Sequence, residues 1–213
     1  MPTSPVTQML QIDPANNTAQ DNYRLLIGSI VPRPIALVST VNADGQANLA
    51  PFSFFNAVSS KPPSIMIAIG QSKEGKSKDT LLNIKETGEF VVNTSSEWMA
   101  EPIVHCAASF PHGVSEFEMA GLTPLPSLRV KPCRVKEAPV HFECKVSNIM
   151  TIGPESPEAT TMIIGEILMF HIWAEAFADG KVNSKKLQPL ARVGGISYAH
   201  LANYFDLAVP RVD

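Results

Sequence analysis

Residues 34–55 read PIALVSTVNADGQANLAPFSFF and contain two β-strand signals around one turn. The first run, Pro34 to Val41, is rich in β-branched residues, which favour strands. The sequence Asn42-Ala43-Asp44-Gly45 follows, and its glycine can adopt the positive φ that a tight turn requires. A second apolar run, Ala47 to Phe55, completes a predicted β-hairpin.

Beyond the hairpin, strand signals outnumber helix signals. Alternation and flanking turn residues predict strands at Ser64–Ile69, Glu89–Asn93, Val140–Ile149 and Thr160–Trp173. The third of these has the pattern of a strand buried on one face, and Gly165 permits a bend or bulge in the fourth. Short helices are predicted at Asp79–Gly88, Trp98–Ala107 and Tyr198–Phe205, and residues 108–132 are rich in turns. This order predicts a mainly β protein, a barrel or sandwich decorated by a few helices.

The composition is that of a chain with a sizeable core. Of its 213 residues, 45% are hydrophobic and 17% are charged, and the formal net charge is −3. The hydrophobic fraction is too high, and the charged fraction too low, for a disordered chain. They also give no reason to expect nucleic-acid binding, which usually needs a clustered basic face. No window approaches the roughly 20 consecutive apolar residues of a membrane span, so no membrane partner is expected.

The N-terminal sequence and the cysteines indicate in which cellular compartment the protein is expected. The first twenty residues lack the basic start and apolar run of a secretory signal, and they are interpreted as a polar arm. Cys106, Cys133 and Cys144 form no CxxC pair, so reduced thiols are expected. We therefore predict a cytoplasmic protein with an N-terminal arm (1–22), one domain (23–201) and a C-terminal tail (202–213).

The segment from Ser72 to Thr80 carries candidate anion-binding residues. It reads SKEGKSKDT, with three lysines and three hydroxyl side chains, and it leads directly into the helix predicted at Asp79. Backbone N–H groups at a helix start favour a phosphate group. The GxxxxGK[ST] pattern of a P-loop is absent. The competing interpretation is an ordinary solvated loop with Ser77 or Asp79 as the N-cap.

Two other segments mix polar residues with aromatic residues or glycines. Asn48–Asn56 reads NLAPFSFFN and offers apolar surface for the face of a flat heteroaromatic ligand and amide or hydroxyl groups for its rim. The alternative is an amphipathic strand with Phe52 and Phe54 in the core. Arg192–Tyr198 reads RVGGISY, whose glycines allow close backbone approach and whose terminal side chains are available for recognition. The alternative there is a tight turn before a helix.

Other types of active site have no signal in the sequence. The patterns GxSxG, HExxH and GxGxxG are absent, and the five histidines lack metal-ligand spacing, so no metal site is predicted. Glu116 and Glu118 are interpreted as solvated carboxylates, and Cys106 as a buried structural thiol. His171 is assigned a structural role.

Taken together, these segments resemble the flavin reductase-like family of FMN-binding split-barrel proteins. The resemblance runs from about Tyr23 to Leu201. The order and spacing of seven segments carry it: Val31–Thr40, Asn48–Asn56, Ser77–Thr80, Gly88–Asn93, Gly121–Pro124, Ile164–Glu166 and Arg192–Tyr198.

The resemblance implies a Greek-key split β-barrel that forms a homodimer, with one FMN per subunit near the interface. By matching motif positions, the flavin ring or ribityl chain is contacted by Ser39 and Thr40, the isoalloxazine is lined by Asn48, Ser53, Phe54 and Asn56, and the phosphate is held by Ser77, Lys78 and Thr80. Arg33 and Arg192 meet either the phosphate or a carboxylate. Tyr198, the one candidate catalytic residue, closes the pocket near the redox edge.

The implied activity is NAD(P)H-dependent flavin reduction. A hydride passes from nicotinamide C4 to flavin N5, so the step needs no side-chain acid or base. The donor is NADH or NADPH, and the electrons pass to a monooxygenase or another acceptor. Two alternatives stay open. One is a non-enzymatic electron carrier that holds FMN and is reduced by a protein partner, and the other is a barrel binding module without flavin.

Overall fold

The computed structural model describes residues 8–71, 77–108, 110, 114–153 and 159–210. The strands are β1 (Arg33–Pro34), β2 (Ala36–Val41), β3 (Ala47–Phe52), β4 (Phe55–Ser60), β5 (Pro63–Gly70), β6 (Glu89–Thr94), β7 (Pro124–Leu125), β8 (Arg134–Val135), β9 (Val140–Ile152), β10 (Thr160–Ile172), β11 (Phe177–Ala178), β12 (Lys181–Val182), β13 (Leu190–Arg192) and β14 (Tyr198–His200). The helices are α1 (Ala19–Ser29), α2 (Asp79–Thr87), α3 (Ala100–His105), α4 (Glu116–Ala120) and α5 (Ser184–Leu187), with 3₁₀ turns at Pro14–Asn16, Glu97–Met99 and Ala174–Ala176. Strands therefore dominate, and helices are short, as the sequence predicts. None of the helices in the described ranges is long and apolar enough to cross a membrane.

The main sheet has seven antiparallel strands, and its two edge strands are neighbours in the chain. The strand order is β3-β2-β6-β9-β10-β5-β4. Only Ser53 and Phe54 separate β3 from β4, so the two edges of the sheet must lie close together in space. The sheet therefore curls into a barrel that is open between β3 and β4.

The predicted strand Ala47–Phe55 is wrong in its extent, because the chain changes pairing partner within it. β3 pairs with β2, which confirms the predicted hairpin, whereas β4 pairs with β5. The change occurs at Ser53–Phe54, where the Phe54 carbonyl accepts a hydrogen bond of 2.8 Å from the Ala68 N–H. The alternation of apolar and polar residues cannot reveal this change of pairing partner, because it is similar before and after Ser53–Phe54.

Both faces of the hairpin are buried, each in a separate core. All six residues of β2 are buried, which accounts for its nearly continuous apolar sequence. The first core fills the barrel, whose end is covered by α2, and includes Val38, Ile67, Leu81, Ile84, Phe90 and Ile163. The second core lies between the outer face of the hairpin and the helices α3 and α4, and includes Leu37, Leu49, Ile103, Phe117 and Leu122. The hairpin thus joins the barrel to its outer helices.

A glycine in β10 allows one core ring to pack against the strand. The register between β10 and β9 shifts between Ile164 and Gly165, which confirms the predicted bulge. A Cβ atom on Gly165 would lie 2.4 Å from Cζ of Phe90, a ring with no exposed surface. The close approach of this ring is therefore what requires a glycine here.

The first residues of β9 are buried on both faces, contrary to the half-buried strand that the alternation predicts. His141 is 4% exposed and Glu143 is fully buried. The Glu143 carboxylate accepts hydrogen bonds from the N–H groups of Leu128 and Arg129 and lies 2.6 Å from Nε2 of His171. Burial acts to raise the pKa of Glu143, but these bonds outweigh it and hold the pKa below its usual value. Burial also lowers the pKa of His141 to about 4. The polar residues of this strand therefore fasten residues 128–129 to the sheet.

The helix predicted at Tyr198–Phe205 is wrong. Tyr198–His200 form strand β14, and residues 201–210 have no regular secondary structure. The chain reverses at Gly194–Gly195, where Gly195 has a φ of 55°, and the reversal places Tyr198 opposite Arg192. The backbone of β14 then pairs with β13, which excludes a helix at these residues.

Three helices, α1, α4 and α5, are not predicted by the sequence analysis. Helix α1 begins after Thr18, whose hydroxyl accepts a hydrogen bond of 3.1 Å from the Asp21 N–H, as an N-cap does. The expected boundary between residues 22 and 23 falls inside this helix. Helix α4 lies in the segment 108–132 that was interpreted as turns.

The two tryptophans of the chain stack at one corner of the barrel. Trp98 follows β6 and Trp173 follows β10, and their ring centroids are 5.4 Å apart with an angle of 8° between the planes. The Trp98 Nε1–H donates a hydrogen bond of 3.1 Å to the Glu137 carbonyl. The pair therefore connects the segment before α3 to the end of β10.

We expect Gly165→Ala to lower the free energy of unfolding by about 1 to 3 kcal/mol, because the added methyl group would overlap the Phe90 ring in a packed core. Gly70→Ala is the matched control, since Gly70 lies in the same sheet and a Cβ there meets no atom within 4 Å. Urea unfolding of both variants measures the difference. Equal stability of the two variants would show that the core repacks freely around Phe90.

Candidate functional site

An unpaired strand edge runs along the opening of the barrel. β3 pairs with β2 on one side, and in the described part of the chain no strand pairs with its other side. The Leu49 N–H donates a hydrogen bond of 3.1 Å on this free side to Oε2 of Glu116. The free edge of β3 thus offers backbone hydrogen-bonding groups to a bound molecule, as edge strands do.

Two cavities lie at the two ends of β3, and each is named here after one of its residues. The Arg192 cavity, beside Phe52 and Ser53, has a volume of about 360 Å³. The Asn48 cavity, at the other end of the strand, has a volume of about 220 Å³. Asn48 and Ser53 are about 16 Å apart along an extended strand at roughly 3.3 Å per residue. An elongated molecule can therefore lie along β3 with one end near each cavity.

The Arg192 cavity is mainly apolar and holds one cationic side chain. Its lining residues are Ile35, Pro51, Phe52, Ser53, Ile103, Val104, Ala107, Arg192, Ile196 and Tyr198. The guanidinium carbon of Arg192 lies 4.4 Å from the centroid of the Tyr198 ring, and Nη2 donates to the Gly195 carbonyl. Pairing of β13 with β14 places these two side chains opposite each other. The positive charge is therefore fixed against an aromatic face beside the cavity.

A set of amide and hydroxyl side chains connects β3 to the beginning of α2. Nδ2 of Asn48 donates to the hydroxyls of Thr80 and Thr40 at 2.9 and 3.3 Å. Nδ2 of Asn83 donates to the Thr40 hydroxyl at 3.0 Å. Thr40, Thr80 and Asn83 are all buried. These bonds hold the first turn of α2 beside the free edge of β3.

The beginning of α2 presents a cation near the same groove. Lys78 is the N-cap residue and makes no side-chain capping bond, and its ammonium lies 5.4 Å from the centroid of the Phe52 ring. Lys78 belongs to the exposed residues, but partial burial of its ammonium lowers the pKa of Lys78. Ser77 precedes it and is exposed. The rest of the lysine-rich loop predicted to bind an anion, residues 72–76, lies outside the described residues.

Arg33 and Ser39 line neither cavity, although the resemblance assigns them to the flavin, and Nε of Arg33 donates a hydrogen bond of 3.5 Å to the hydroxyl of Ser53 at the edge of the Arg192 cavity. Arg33 is 5% exposed, and its guanidinium donates to the carbonyls of Ile27, Ile30 and Val193. In the described ranges it has no carboxylate partner, so it joins the end of α1 to the turn after β13. Ser39 is fully buried on the face of β2 opposite Thr40, and its hydroxyl donates to the Cys133 carbonyl.

Phe54 and Asn56 also lie outside the linings of the two cavities. The Phe54 ring is partly buried, with its centroid 6.3 Å from that of the Tyr23 ring of α1. Asn56 is exposed at the beginning of β4, and its Oδ1 accepts a hydrogen bond from the Ala57 N–H. Both residues are on the β4 side of the opening in the barrel.

Glu116 is part of the site, and its interpretation as a solvated carboxylate is wrong. The side chain is half-buried and lines the Asn48 cavity as well as accepting the Leu49 N–H. Burial, with a smaller contribution from the charge of Asp79, raises the pKa of Glu116. The contact spans 67 residues of sequence, so no local pattern indicates it.

The structure brings together seven of the residues that the sequence analysis selected: Thr40, Asn48, Ser53, Lys78, Thr80, Arg192 and Tyr198. They provide two cations, Lys78 over the Phe52 ring and Arg192 against the Tyr198 ring, together with neutral hydrogen-bonding groups along β3 and apolar walls. Among the described residues, no group of three or more His, Cys, Asp or Glu side chains is placed to hold a metal ion. Such a groove suits an elongated anion with a flat apolar end.

Comparison with known sequences gives a family match for this chain. Residues 27–189, most of its length, match the family described as "Flavin reductase like domain". The matched segment begins near the end of α1 and ends just before β13, so it contains the barrel, β3 and α2.

Three solved structures are similar to this one. Nitrilotriacetate monooxygenase component B from Bacillus cereus is 39% identical, with a TM-score of 0.90 over 94% of this chain and 100% of that one. The 2-nitrobenzoate 2-nitroreductase from Pseudomonas fluorescens is 34% identical, with a TM-score of 0.84 over 94% of this chain and 96% of that one. A split barrel protein from Shewanella frigidimarina is 21% identical, with a TM-score of 0.79 over 92% of this chain and 96% of that one, which supports the fold alone.

Proposed function

The chain belongs to the flavin reductase-like family, and on that basis we propose that it binds FMN along β3 and uses it to accept a hydride from NADH or NADPH. The observation that carries the proposal is the free edge of β3, which has an apolar cavity at one end and the beginning of α2 at the other. A flavin mononucleotide has the same two ends, a flat ring system and a phosphate.

The residues at the α2 end suit a phosphate group. The first turn of the helix presents backbone N–H groups and the positive end of the helix dipole. Lys78 and Ser77 add a charge and a hydroxyl, and both are exposed toward solvent. Thr80 is fixed beside them through its bond to Asn48. We assign the phosphate to this group of residues and the ribityl chain to the neighbourhood of Asn48.

The residues at the other end suit a heteroaromatic ring. Pro51, Phe52 and Ile103 give the Arg192 cavity apolar walls, and Ser53 adds a hydroxyl at its edge. Arg192 supplies a fixed positive charge, which stabilises negative charge that develops near it. Tyr198 holds this guanidinium in place and lies at the cavity wall, where it limits access of water.

When bound, the flavin itself supplies the redox chemistry, by accepting a hydride from the nicotinamide and passing electrons on. The chain's own residues bind and orient the flavin and exclude water from it, and the described lining of the Arg192 cavity supplies apolar walls, one hydroxyl and one guanidinium for this. The similar Bacillus cereus protein is a monooxygenase component, so we propose a monooxygenase or another redox protein as the electron acceptor.

The three cysteines are free, as in a reduced cytoplasmic protein.

An anaerobic mixing experiment tests the function. We expect the protein loaded with FMN to absorb at about 450 nm and to lose that band within seconds of mixing with NADH or NADPH, since the nicotinamide reduces the bound flavin directly. Stopped-flow absorbance measures the rate. An FMN band that persists with both dinucleotides would support the electron carrier instead, and a failure to bind FMN would support the binding module without flavin.

We expect Lys78→Ala to weaken FMN binding by about 1 to 3 kcal/mol, because it removes a charge-assisted hydrogen bond to the phosphate. Quenching of flavin fluorescence on titration measures the affinity. Lys85→Ala is the control, since Lys85 is exposed at the other end of the same helix and leaves its beginning unchanged. If both variants bound FMN like the native protein, the phosphate would have to lie elsewhere.

We also propose that the protein is a homodimer, because a large apolar face surrounds β4. Five of the six residues of this edge strand are exposed, including Val58 at 52%. An apolar groove of about 560 Å³ runs beside it, and Phe170, 47% exposed, lies in its lining. An exposed edge with an adjacent apolar groove is typical of a surface that another chain covers. A second copy of this chain is the proposed occupant.

We expect Phe170→Glu to shift the protein from dimer to monomer, because it places a charge in the lining of this apolar groove. Sedimentation velocity measures the change. Phe177→Glu is the matched control, since Phe177 is also 47% exposed but lies in β11, outside the groove. A native protein that sediments as a monomer would rule out the dimer.

A further inference from the structure

We propose that Glu116 makes the site selective for a flavin mononucleotide over a flavin dinucleotide. The inference rests on the proposed function, and it concerns the part of the groove beyond the phosphate. The Asn48 cavity opens there, because both Asn48 and Asp79, the first residue of α2, belong to its lining. Any group attached to a phosphate at the beginning of α2 therefore meets this cavity next.

The Asn48 cavity has the wrong charge for a second phosphate. Its lining residues are Asn42, Gln46, Ala47, Asn48, Asp79, Asn83, Val114, Ser115 and Glu116. Two of these carry carboxylates, and among the described lining residues there is no lysine, arginine or histidine. A pyrophosphate extended into the cavity would therefore approach two carboxylates, and repulsion between like charges disfavours that approach.

Glu116 is held in this position by the backbone of β3. Its Oε2 accepts the Leu49 N–H on the free edge of the strand, and Phe117, the next residue, is buried in the second core. The carboxylate therefore cannot swing into solvent without leaving a strand N–H unpaired, which disfavours such a movement. A fixed carboxylate discriminates between ligands, whereas a mobile one would move away from an approaching phosphate.

The test measures the dissociation constants of riboflavin, FMN and FAD for the native protein and for Glu116→Gln. Glutamine removes the charge and keeps a carbonyl oxygen to accept the Leu49 N–H. We expect FAD to bind about tenfold more tightly to the variant, FMN to change by less than about threefold, and riboflavin to be unaffected. Glu118→Gln is the control, because Glu118 lies in the same helix, is exposed and does not line the cavity.

The outcomes separate this inference from the proposed function. Failure of all three flavins to bind the native protein would overturn the proposed function. Tight FMN binding with an unchanged ratio of FAD to FMN affinity in Glu116→Gln would overturn the inference alone. A weaker affinity for FAD in the variant would also overturn it, by showing that the carboxylate accepts hydrogen bonds from the adenosine portion.

Discussion

The unmet hydrogen-bonding capacity of the β3 edge is the constraint around which the rest of the molecule is arranged. A closed barrel would satisfy that edge with another strand, but the two residues between β3 and β4 send the chain to the opposite edge of the sheet. The backbone groups left free must then face water, side chains or a bound molecule. The structure uses Glu116 for one of them, and the two cavities leave space for a ligand along the others.

Elements with a strong local pattern could be predicted from the sequence, and elements that depend on distant partners could not. The hairpin, helix α2 with Gly88 in the left-handed conformation at its end, and the bulge at Gly165 each follow from residues adjacent to them. By contrast, the burial of His141 depends on segments that only the fold brings over β9. The helix predicted at Tyr198 failed for a similar reason, because strand pairing with β13 outweighs a weak helical pattern. Helix α1 has a local signal in Thr18, an N-cap residue, and in Asp21, an acidic residue in its first turn.

The residues of the candidate site also divide into those that the sequence predicts correctly and those that it does not. The resemblance selects Asn48, Lys78 and Thr80, and the structure brings them together, because α2 packs beside the hairpin. The resemblance also selects Arg33, but its guanidinium donates to the carbonyls of Ile27, Ile30 and Val193 and so connects the end of α1 to the turn after β13. An arginine in a motif shows that a cation is needed, but not whether a ligand or the backbone needs it. Glu116 was misjudged because its partner in β3 is distant in sequence and close only in space.

The stacked tryptophans determine which part of this protein its intrinsic ultraviolet fluorescence reports. Since Trp98 and Trp173 are the two indoles of the chain and lie face to face, ultraviolet emission excited in the indole band originates from one corner. A change in that emission during heating therefore reports on the contact between the end of β10 and the segment before α3. Substituting one indole by phenylalanine would leave a single emitter, and introducing a tryptophan in the Arg192 cavity of that variant would give a probe of the site itself.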